Sequence, residues 1–246
     1  MNAQQTPHDP DGAPAVGVVL VAAGSGTRLG AGIPKAFVEV DGSSLLEHAI
    51  HGVLATARVD ELVVVAPAGW EDRAQECLDL AAGCPCAHRT TVVTGGAERA
   101  DSVAAGLAVL GPDVEVVLVH DAARCFAPAE VFDRVVAAVR EGAAAVVPGV
   151  PVVDTVKVVD PVEGRPEPVV ATPARSTLRA VQTPQGFRRE VLQRAHAVPG
   201  AGAAATDDAL LVEQLGERVV VVPGDARSAK ITTPEDLRAA GGRVAP

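Results

Sequence analysis

Residues Val16 to Lys35 read VGVVLVAAGSGTRLGAGIPK, and this stretch indicates both the fold class and the place where a ligand binds. It starts with a run of apolar, mostly β-branched residues, which is typical of a strand buried on both faces of a parallel sheet. The run stops at Ala22-Ala23-Gly24-Ser25-Gly26, where small side chains let a ligand approach the backbone and let amide N–H groups face an anion. A glycine-rich loop after a buried strand predicts a phosphate-binding site.

Two common glycine-rich motifs do not fit this loop. The dinucleotide fingerprint G-x-G-x-x-G requires glycine where the chain has Leu29, and a Walker A loop requires Gly-Lys-Ser/Thr where it has Leu29 or Ala31. The loop instead carries Arg28 and Lys35, which suit a polyphosphate because a guanidinium is a planar fork and an ammonium is a point charge. On the loop alone, a tight turn with two solvated cations is the alternative interpretation.

Composition restricts the fold and the kinds of partner. The chain has 246 residues and 48% hydrophobic content, which is enough for one large α/β domain. A net charge of −10 and 2% aromatic residues argue against nucleic-acid binding. The sequence has no long uncharged apolar stretch, so we do not predict a membrane span. We expect a cytoplasmic protein with a disordered tail at residues 1–14 and one domain at residues 15–242.

The cysteines are expected to be free thiols, because we find no secretion signal. They are Cys77, Cys84, Cys86 and Cys125. His88 follows Cys84-Pro-Cys86, but the spacing is not C-x-x-C and no second ligand pair follows, so we do not predict a zinc site.

Apolar strands alternate with helical segments along the chain. This alternation predicts a single doubly wound α/β domain with one mostly parallel, Rossmann-like sheet. Residues 150–180 differ, because an alternating segment is followed there by several prolines, and this pattern predicts a projecting β-arm. The arm contains Thr155 and Arg175, and from the sequence alone Arg175 is an ordinary solvated arginine.

Two later strand ends carry further candidate contacts. The run Gly95-Gly96-Ala97-Glu98-Arg99-Ala100-Asp101-Ser102 follows the third predicted strand, and Ser102 is predicted to start the next helix. His120-Asp121-Ala122-Ala123-Arg124 follows the fourth strand, at the sheet edge where open α/β folds bind ligands. Asp121 is there either a Mg²⁺ ligand beside a phosphate or the cap of a helix.

The pattern from Ala22 to Lys35 resembles the signature loop of nucleotidyltransferases that join a nucleotide to a phosphorylated sugar or polyol. More narrowly, it is similar to the 2-C-methyl-D-erythritol 4-phosphate cytidylyltransferase family. Four more segments resemble that family in the same order: the runs that begin at Gly95, at His120 and at Val181, and the loop that ends at Lys230. The chain departs from the family pattern at Cys125, where proline is usual, and at Ser228-Ala229, where Asn-Ile usually precedes the lysine.

The resemblance implies transfer of CMP from CTP to 2-C-methyl-D-erythritol 4-phosphate, with release of pyrophosphate, in the non-mevalonate route to isoprenoid precursors. It implies that Arg28 and Lys35 stabilise the charge on the reacting phosphate and that Asp121 binds Mg²⁺. It also implies a set of nucleotide contacts and a set of contacts to the acceptor. The nucleotide set is Ala22, Ala23, Gly24, Ser25, Gly26, Gly95, Gly96, Ala97 and Ser102, and the acceptor set is Arg124, Thr155, Arg175, Thr206 and Lys230.

The family's β-arm exchanges across a two-fold dimer, so the resemblance implies a homodimer in which Arg175 acts in the partner subunit's site. For Thr206, capping of a helix is an equally good interpretation. No general base is required, because a phosphate monoester is already a nucleophile near neutral pH. The alternatives are a ribitol 5-phosphate cytidylyltransferase, a non-catalytic nucleotide-binding regulatory subunit and, disfavoured by Leu29, a nicotinamide-dependent dehydrogenase.

Overall fold

The computed structural model describes residues 14–24, 26, 29–56, 59–81, 89–198, 200 and 205–241. The strands are β1 (Ala15–Val21), β2 (Glu39–Val40), β3 (Ser43–Ser44), β4 (Glu61–Ala66), β5 (Arg89–Thr94), β6 (Val114–Asp121), β7 (Ala145–Pro151), β8 (Val158–Val159), β9 (Val169–Ala171), β10 (Arg179–Val181), β11 (Gln185–Arg188) and β12 (Val219–Pro223). The helices are α1 (Leu45–Leu54), α2 (Glu71–Ala81), α3 (Arg99–Val109), α4 (Ala129–Arg140), α5 (Arg189–His196), α6 (Asp208–Gln214) and α7 (Pro234–Ala239).

One eight-stranded sheet forms the centre of the molecule, in the order β10-β7-β11-β6-β1-β4-β5, with β12 also paired to β7. Strands β6, β1, β4 and β5 run parallel to one another, and β12 runs parallel to β7. Strand β11 lies antiparallel between β6 and β7, and β10 is antiparallel to β7. The predicted mostly parallel sheet is confirmed.

The helices cover both faces of this sheet, because the strand side chains alternate in direction. Along β1, Val18 and Leu20 belong to a core that includes residues of α1, α2 and α4. Val19, between them, belongs to a second core with residues of α3, α5 and α6. The predicted doubly wound arrangement is therefore confirmed.

The strand register brings three loops to one edge of the sheet. Val21, the last residue of β1, pairs with Val65 of β4 and with Asp121 at the end of β6. Next along, Ala66 of β4 pairs with Thr94 of β5. The segments that follow β1, β5 and β6 consequently start at the same level and line the same crevice.

The starts of α1 and α3 depend on side chains that accept hydrogen bonds from backbone N–H groups. Helix α1 begins after Ser44, whose hydroxyl accepts from the N–H of Glu47 at 3.1 Å. Helix α3 begins at Arg99, so the prediction that Ser102 starts it is wrong by one turn. The Asp101 carboxylate accepts from the N–H of Glu98 and stabilises the earlier start, while the Ser102 hydroxyl bonds Gly96 and Glu98.

The segment predicted to form an arm contains β8 and β9, which pair antiparallel with each other in a sheet separate from the main one. Most residues from 151 to 181 are exposed, including apolar ones. Residues 1–13 of the predicted tail lie outside the described residues, as do Cys84, Cys86 and His88. Cys77 and Cys125 are buried free thiols. Among the described residues, no helix is long and apolar enough to cross a membrane.

Candidate active site

A cavity of about 340 Å³ lies at the edge of the sheet where β1, β5 and β6 end. Its walls come from the loops that follow these strands, from the start of α3 and from the loop before α7. The lining residues include Ala22, Ala23, Gly24, Lys35, Gly96, Ala97, Arg99, Ser102, Asp121 and Lys230. Most of the predicted nucleotide contacts thus lie around one space, although they span eighty positions of sequence.

The loop after β1 is folded against Lys35. Gly26 has a φ of +64°, and a Cβ at this position would overlap the side chain and backbone of Lys35. The Lys35 ammonium donates to the carbonyl of Ile231 at 3.1 Å, which ties the loop to the segment before α7. Lys35 lines the cavity, whereas the candidate site residues Ser25 and Arg28 lie outside the described residues.

The loop after β5 packs tightly on the first loop. Gly95 donates its N–H to the carbonyl of Ala66 at 2.8 Å, and a Cβ on Gly95 would overlap the Cβ of Ala23 and the hydroxyl of Ser102. Gly95 therefore supports the cavity wall, while its neighbours Gly96 and Ala97 line the cavity itself. Backbone groups and small side chains form this wall, which lets a planar or anionic ligand approach closely.

Asp121 lies at the centre of the charged wall of the cavity. Its Oδ2 accepts from the ammonium of Lys230 at 2.7 Å, and its Oδ1 accepts from Nε of Arg99 at 3.3 Å. Burial by itself would raise the pKa of Asp121, but the positive charges of Arg99 and Lys230 outweigh this effect and hold the pKa well below its usual range. The Asp121 side chain is consequently an anion shared by two cations. The alternative that it caps a helix is not supported, because it makes no capping hydrogen bond to the short helix Ala122–Arg124.

A second cavity, of about 220 Å³, adjoins the first. Arg99, Asp121 and Lys230 line both, so these three side chains form the wall between two ligand-sized spaces. The other lining residues are Arg124, Val181, Gln182, Thr183, Gln185, Thr206 and Asp207. Arg124 donates to the carbonyls of Ser228 at 2.8 Å and Val181 at 3.2 Å, and burial lowers its pKa.

Comparison with known proteins bears on what these two spaces hold. A model of the family 2-C-methyl-D-erythritol 4-phosphate cytidylyltransferase matches residues 16–244. The chain is 51% identical over 221 residues to a protein of that name from Streptomyces avermitilis, covering 89% of this chain and 87% of that protein. It is 48% identical over 233 residues to one from Nocardia farcinica, with 95% of both chains covered.

The chain belongs to the 2-C-methyl-D-erythritol 4-phosphate cytidylyltransferase family.

The fold agrees with this membership. The solved structure of 4-diphosphocytidyl-2C-methyl-D-erythritol synthase from Anaerococcus prevotii superimposes with a TM-score of 0.78 at 30% identity, covering 93% of this chain and 97% of that one. As a member of the cytidylyltransferase family, the chain is a nucleotidyltransferase of isoprenoid precursor synthesis. The resemblance stated from the sequence is confirmed.

Only some of the residues predicted to contact the acceptor in this cytidylyltransferase line the cavities. Lys230, Arg124 and Thr206 line the second cavity, and the Lys230 ammonium is directed at Asp121 despite the Ser228-Ala229 departure. Thr206 does not cap α6, because Asp207 does so by accepting from the N–H of Leu210 at 2.9 Å. Thr155 and Arg175 line neither cavity; Arg175 donates to the carbonyl of Val153 within the exposed arm.

Sequence reasoning assigned no role to Arg99, which is central to the site of this family member. Arg99 is held between Asp121 and the buried Asp208, to whose Oδ2 it donates at 2.6 Å. Burial alone would lower the pKa of Arg99, but the two carboxylates raise it. The cluster Glu98-Arg99-x-Asp101 was a visible signal, but nothing in its spacing reveals partners 22 and 109 positions away.

Proposed function

We propose that the first cavity binds CTP, that the second binds 2-C-methyl-D-erythritol 4-phosphate, and that the chain joins them. An oxygen of the acceptor phosphate forms a bond to the α-phosphorus of CTP. The bond from that phosphorus to the oxygen bridging to the β-phosphate breaks, and pyrophosphate leaves with the electron pair. The products are 4-diphosphocytidyl-2-C-methyl-D-erythritol and pyrophosphate.

The observation that supports this assignment most directly is the wall shared by the two cavities. A transfer between two anions requires both to be held in contact while their repulsion is offset. Lys230 and Arg99 supply positive charge at the boundary of the two spaces, and Lys35 supplies it within the first. A glycine-lined hollow with cations on its inner wall suits a nucleoside triphosphate beside a second phosphate.

The individual roles follow from position. We assign Lys35, which lines the first cavity, to the charge that develops on the α-phosphate, and we assign Arg28 to the same charge from the family resemblance alone. We assign the loops after β1 and β5 to the base, ribose and triphosphate, and assign Lys230, Arg124 and Thr206 to the acceptor. The acceptor phosphate needs no base to attack, since its second pKa is about 6.

Mg²⁺ is proposed as the cofactor, with Asp121 as its protein ligand. Among the described residues no group of three or more His, Cys, Asp or Glu side chains could form a complete metal cage. A single carboxylate, that of Asp121, fits an ion bound mainly by triphosphate oxygens and water, because Mg²⁺ commonly takes only one or two protein carboxylates. When bound it would neutralise part of the triphosphate charge.

We further propose a cytoplasmic homodimer that assembles through the arm. The support is the arm's composition: it exposes Val153, Val158, Val169 and Val170, and several exposed apolar side chains on one segment are typical of an interaction site. Because Arg175 lines neither cavity of its own chain, it is available to a partner subunit's site.

The deciding experiment measures pyrophosphate release from each of the four nucleoside triphosphates with methylerythritol phosphate as acceptor. We expect turnover with CTP. A second experiment replaces methylerythritol phosphate with ribitol 5-phosphate. Faster turnover with ribitol 5-phosphate would show that it is the acceptor. Binding of CTP without turnover on either acceptor would instead indicate a nucleotide-binding regulatory subunit and overturn the proposal.

A further inference from the structure

The charged wall of the site continues into the protein interior as a row of hydrogen-bonded side chains. We call the set Lys230, Asp121, Arg99, Asp208 and His196 the charge row. Beyond the wall itself, Arg99 donates to Asp208 Oδ2 at 2.6 Å, and Nε2 of His196 donates to Asp208 Oδ1 at 2.9 Å. Each member belongs to a different element: the loop before α7, β6, α3, α6 and α5, respectively.

Asp208 is the most deeply buried member of the row, with 1% of its surface exposed. Burying a carboxylate costs free energy unless it is paired and hydrogen-bonded, and both oxygens of Asp208 are paired. Asp208 is not needed to cap α6, since Asp207 does that. Its two bonds are therefore directed at Arg99 and His196, and Arg99 is the one that reaches the site.

Arg99 has a long, partly exposed side chain, with 30% of that side chain accessible. Its contact to Asp121 is the longer one, at 3.3 Å, whereas its bond to Asp208 is 2.6 Å. Without Asp208 the guanidinium could rotate into either cavity, or could pair with both oxygens of Asp121 and displace Lys230. Either movement would change the charge at the wall where two substrates must be aligned.

We propose that Asp208 is a positioning residue for the transfer reaction. Through Arg99 it holds the Asp121 carboxylate, and with it the Lys230 ammonium, at the boundary of the two cavities; His196 is the second anchor of Asp208. This inference rests on the proposed function, because it concerns alignment of the two substrates in that reaction.

The central test is Asp208→Asn, measured for kcat with both substrates and, separately, for CTP binding by calorimetry without acceptor. We expect kcat to fall roughly tenfold to a hundredfold, the cost of a small misplacement at a reacting centre. CTP binding should not weaken, because the main contacts to CTP are assigned to the loops after β1 and β5. The shared wall serves to align CTP with the acceptor.

A matched control separates positioning from stability. Glu61 is also a buried carboxylate, 4% exposed, and accepts from the N–H of Gly111 at 2.9 Å, away from both cavities. Glu61→Gln should lower the melting temperature and leave kcat unchanged. If Asp208→Asn has that same profile, its role is merely structural and the inference fails.

Substitutions at His196 and Arg99 keep the inference testable if Asp208→Asn does not fold. His196→Leu removes the second anchor and should lower kcat by a smaller factor than Asp208→Asn, whereas His196→Gln retains a donor and should restore it. Arg99→Lys, which cannot bridge two carboxylates with a planar fork, should lower kcat. Wild-type kcat in both His196→Leu and Arg99→Lys would overturn the inference. Absence of turnover in the unmodified protein would instead reject the proposed function itself.

Discussion

The ammonium of Lys230 lies 2.7 Å from Oδ2 of Asp121, although 109 positions of chain separate the two residues. The contact is a charge-assisted hydrogen bond at the wall between the two cavities. Before substrate binds, the lysine that is proposed to hold the acceptor phosphate is thus already oriented by a carboxylate. A pre-oriented cation loses less conformational entropy when the anion arrives.

Lys230→Ala should mainly raise KM for methylerythritol phosphate. Loss of a hydrogen bond to a charged group costs about 1.5–3 kcal/mol, which corresponds to roughly tenfold to a hundredfold in KM. Steady-state kinetics with each substrate varied in turn measures this. Arg227→Ala is the control, because Arg227 lies on the same loop but pairs with Asp225 and Glu130. Unchanged kinetics for both substrates would remove Lys230 from the site.

Lys35→Met should lower kcat by roughly 10²–10³, the scale for losing one donor that stabilises developing charge. The methionine preserves the length of the side chain, so the change tests charge and not packing. Lys35→Arg should retain more activity than Lys35→Met, since it keeps a cation near the same place. Equal turnover in the methionine variant and the unmodified protein would contradict the assignment. Rapid-quench measurement of a single turnover separates this effect from product release.

Gly26→Ala should destabilise the protein and weaken CTP binding. Alanine at a φ of +64° is strained, and its Cβ would overlap Lys35. We expect a loss of about 1–3 kcal/mol in the free energy of unfolding, measured by denaturant titration. Gly24→Ala provides the matched comparison on the same loop, because a Cβ there meets nothing within 4 Å. Gly24→Ala should leave the unfolding free energy unchanged; equal losses in both variants would refute the conformational argument.

The stability of the protein should decrease as the pH falls from about 6.5 to about 4, because of His120. Burial lowers the pKa of His120 to about 4, with a smaller opposing effect from Asp121. The unfolded chain protonates this histidine near pH 6.5, so between the two values the unfolded state binds more protons and folding weakens as acid is added.

Between pH 7 and pH 5 the expected loss is about 2 kcal/mol, because the rest of the pKa difference lies below pH 5. Denaturant midpoints at pH 7 and pH 5 measure it, and His120→Gln should reduce the difference between them. His51→Gln, at an exposed position, should behave as the unmodified protein does. An equal pH dependence in the His120 variant would show that other groups are responsible. Asp121 does not contribute in this pH range. Because its pKa is lowered, it is protonated, and the protein loses its stabilising contribution, only at more acid pH.

Val170→Asp should convert the proposed dimer to a monomer. Val170 lies on β9 of the arm and is 61% exposed, so a charge there costs little in the single chain but disrupts an apolar interface. Light scattering after size-exclusion chromatography measures the mass. Leu80→Asp, at a 66% exposed position on α2 outside the arm, should leave the mass unchanged. A monomeric unmodified protein would refute the dimer directly.

The sequence by itself determined the fold class, the family and the position of the glycine-rich loop that follows β1. These follow from local features: a β-branched run predicts a buried strand, and glycines without side chains allow backbone approach. The order of motifs along the chain added the remaining candidates. Lys35, Asp121, Lys230 and the loop after β5 were proposed in this way, because each lies in a motif that can be recognised without its neighbours, and the structure places all of them around the first cavity.

Only the tertiary structure decided which charges meet. The pairing of Arg99 with Asp208, and of Lys230 with Asp121, joins residues about a hundred positions apart. A local pattern carries no information about such pairs, because the register of the parallel sheet and the packing of α3, α5 and α6 set the distances between them. The start of α3 was predicted wrongly for a related reason. Both Asp101 and Ser102 can accept from a backbone N–H near the N-terminus of that helix, and sequence spacing does not show where the helix then begins. A site feature that lies within one loop can therefore be predicted from the sequence. A feature formed by side chains from several elements can be identified only from the tertiary structure.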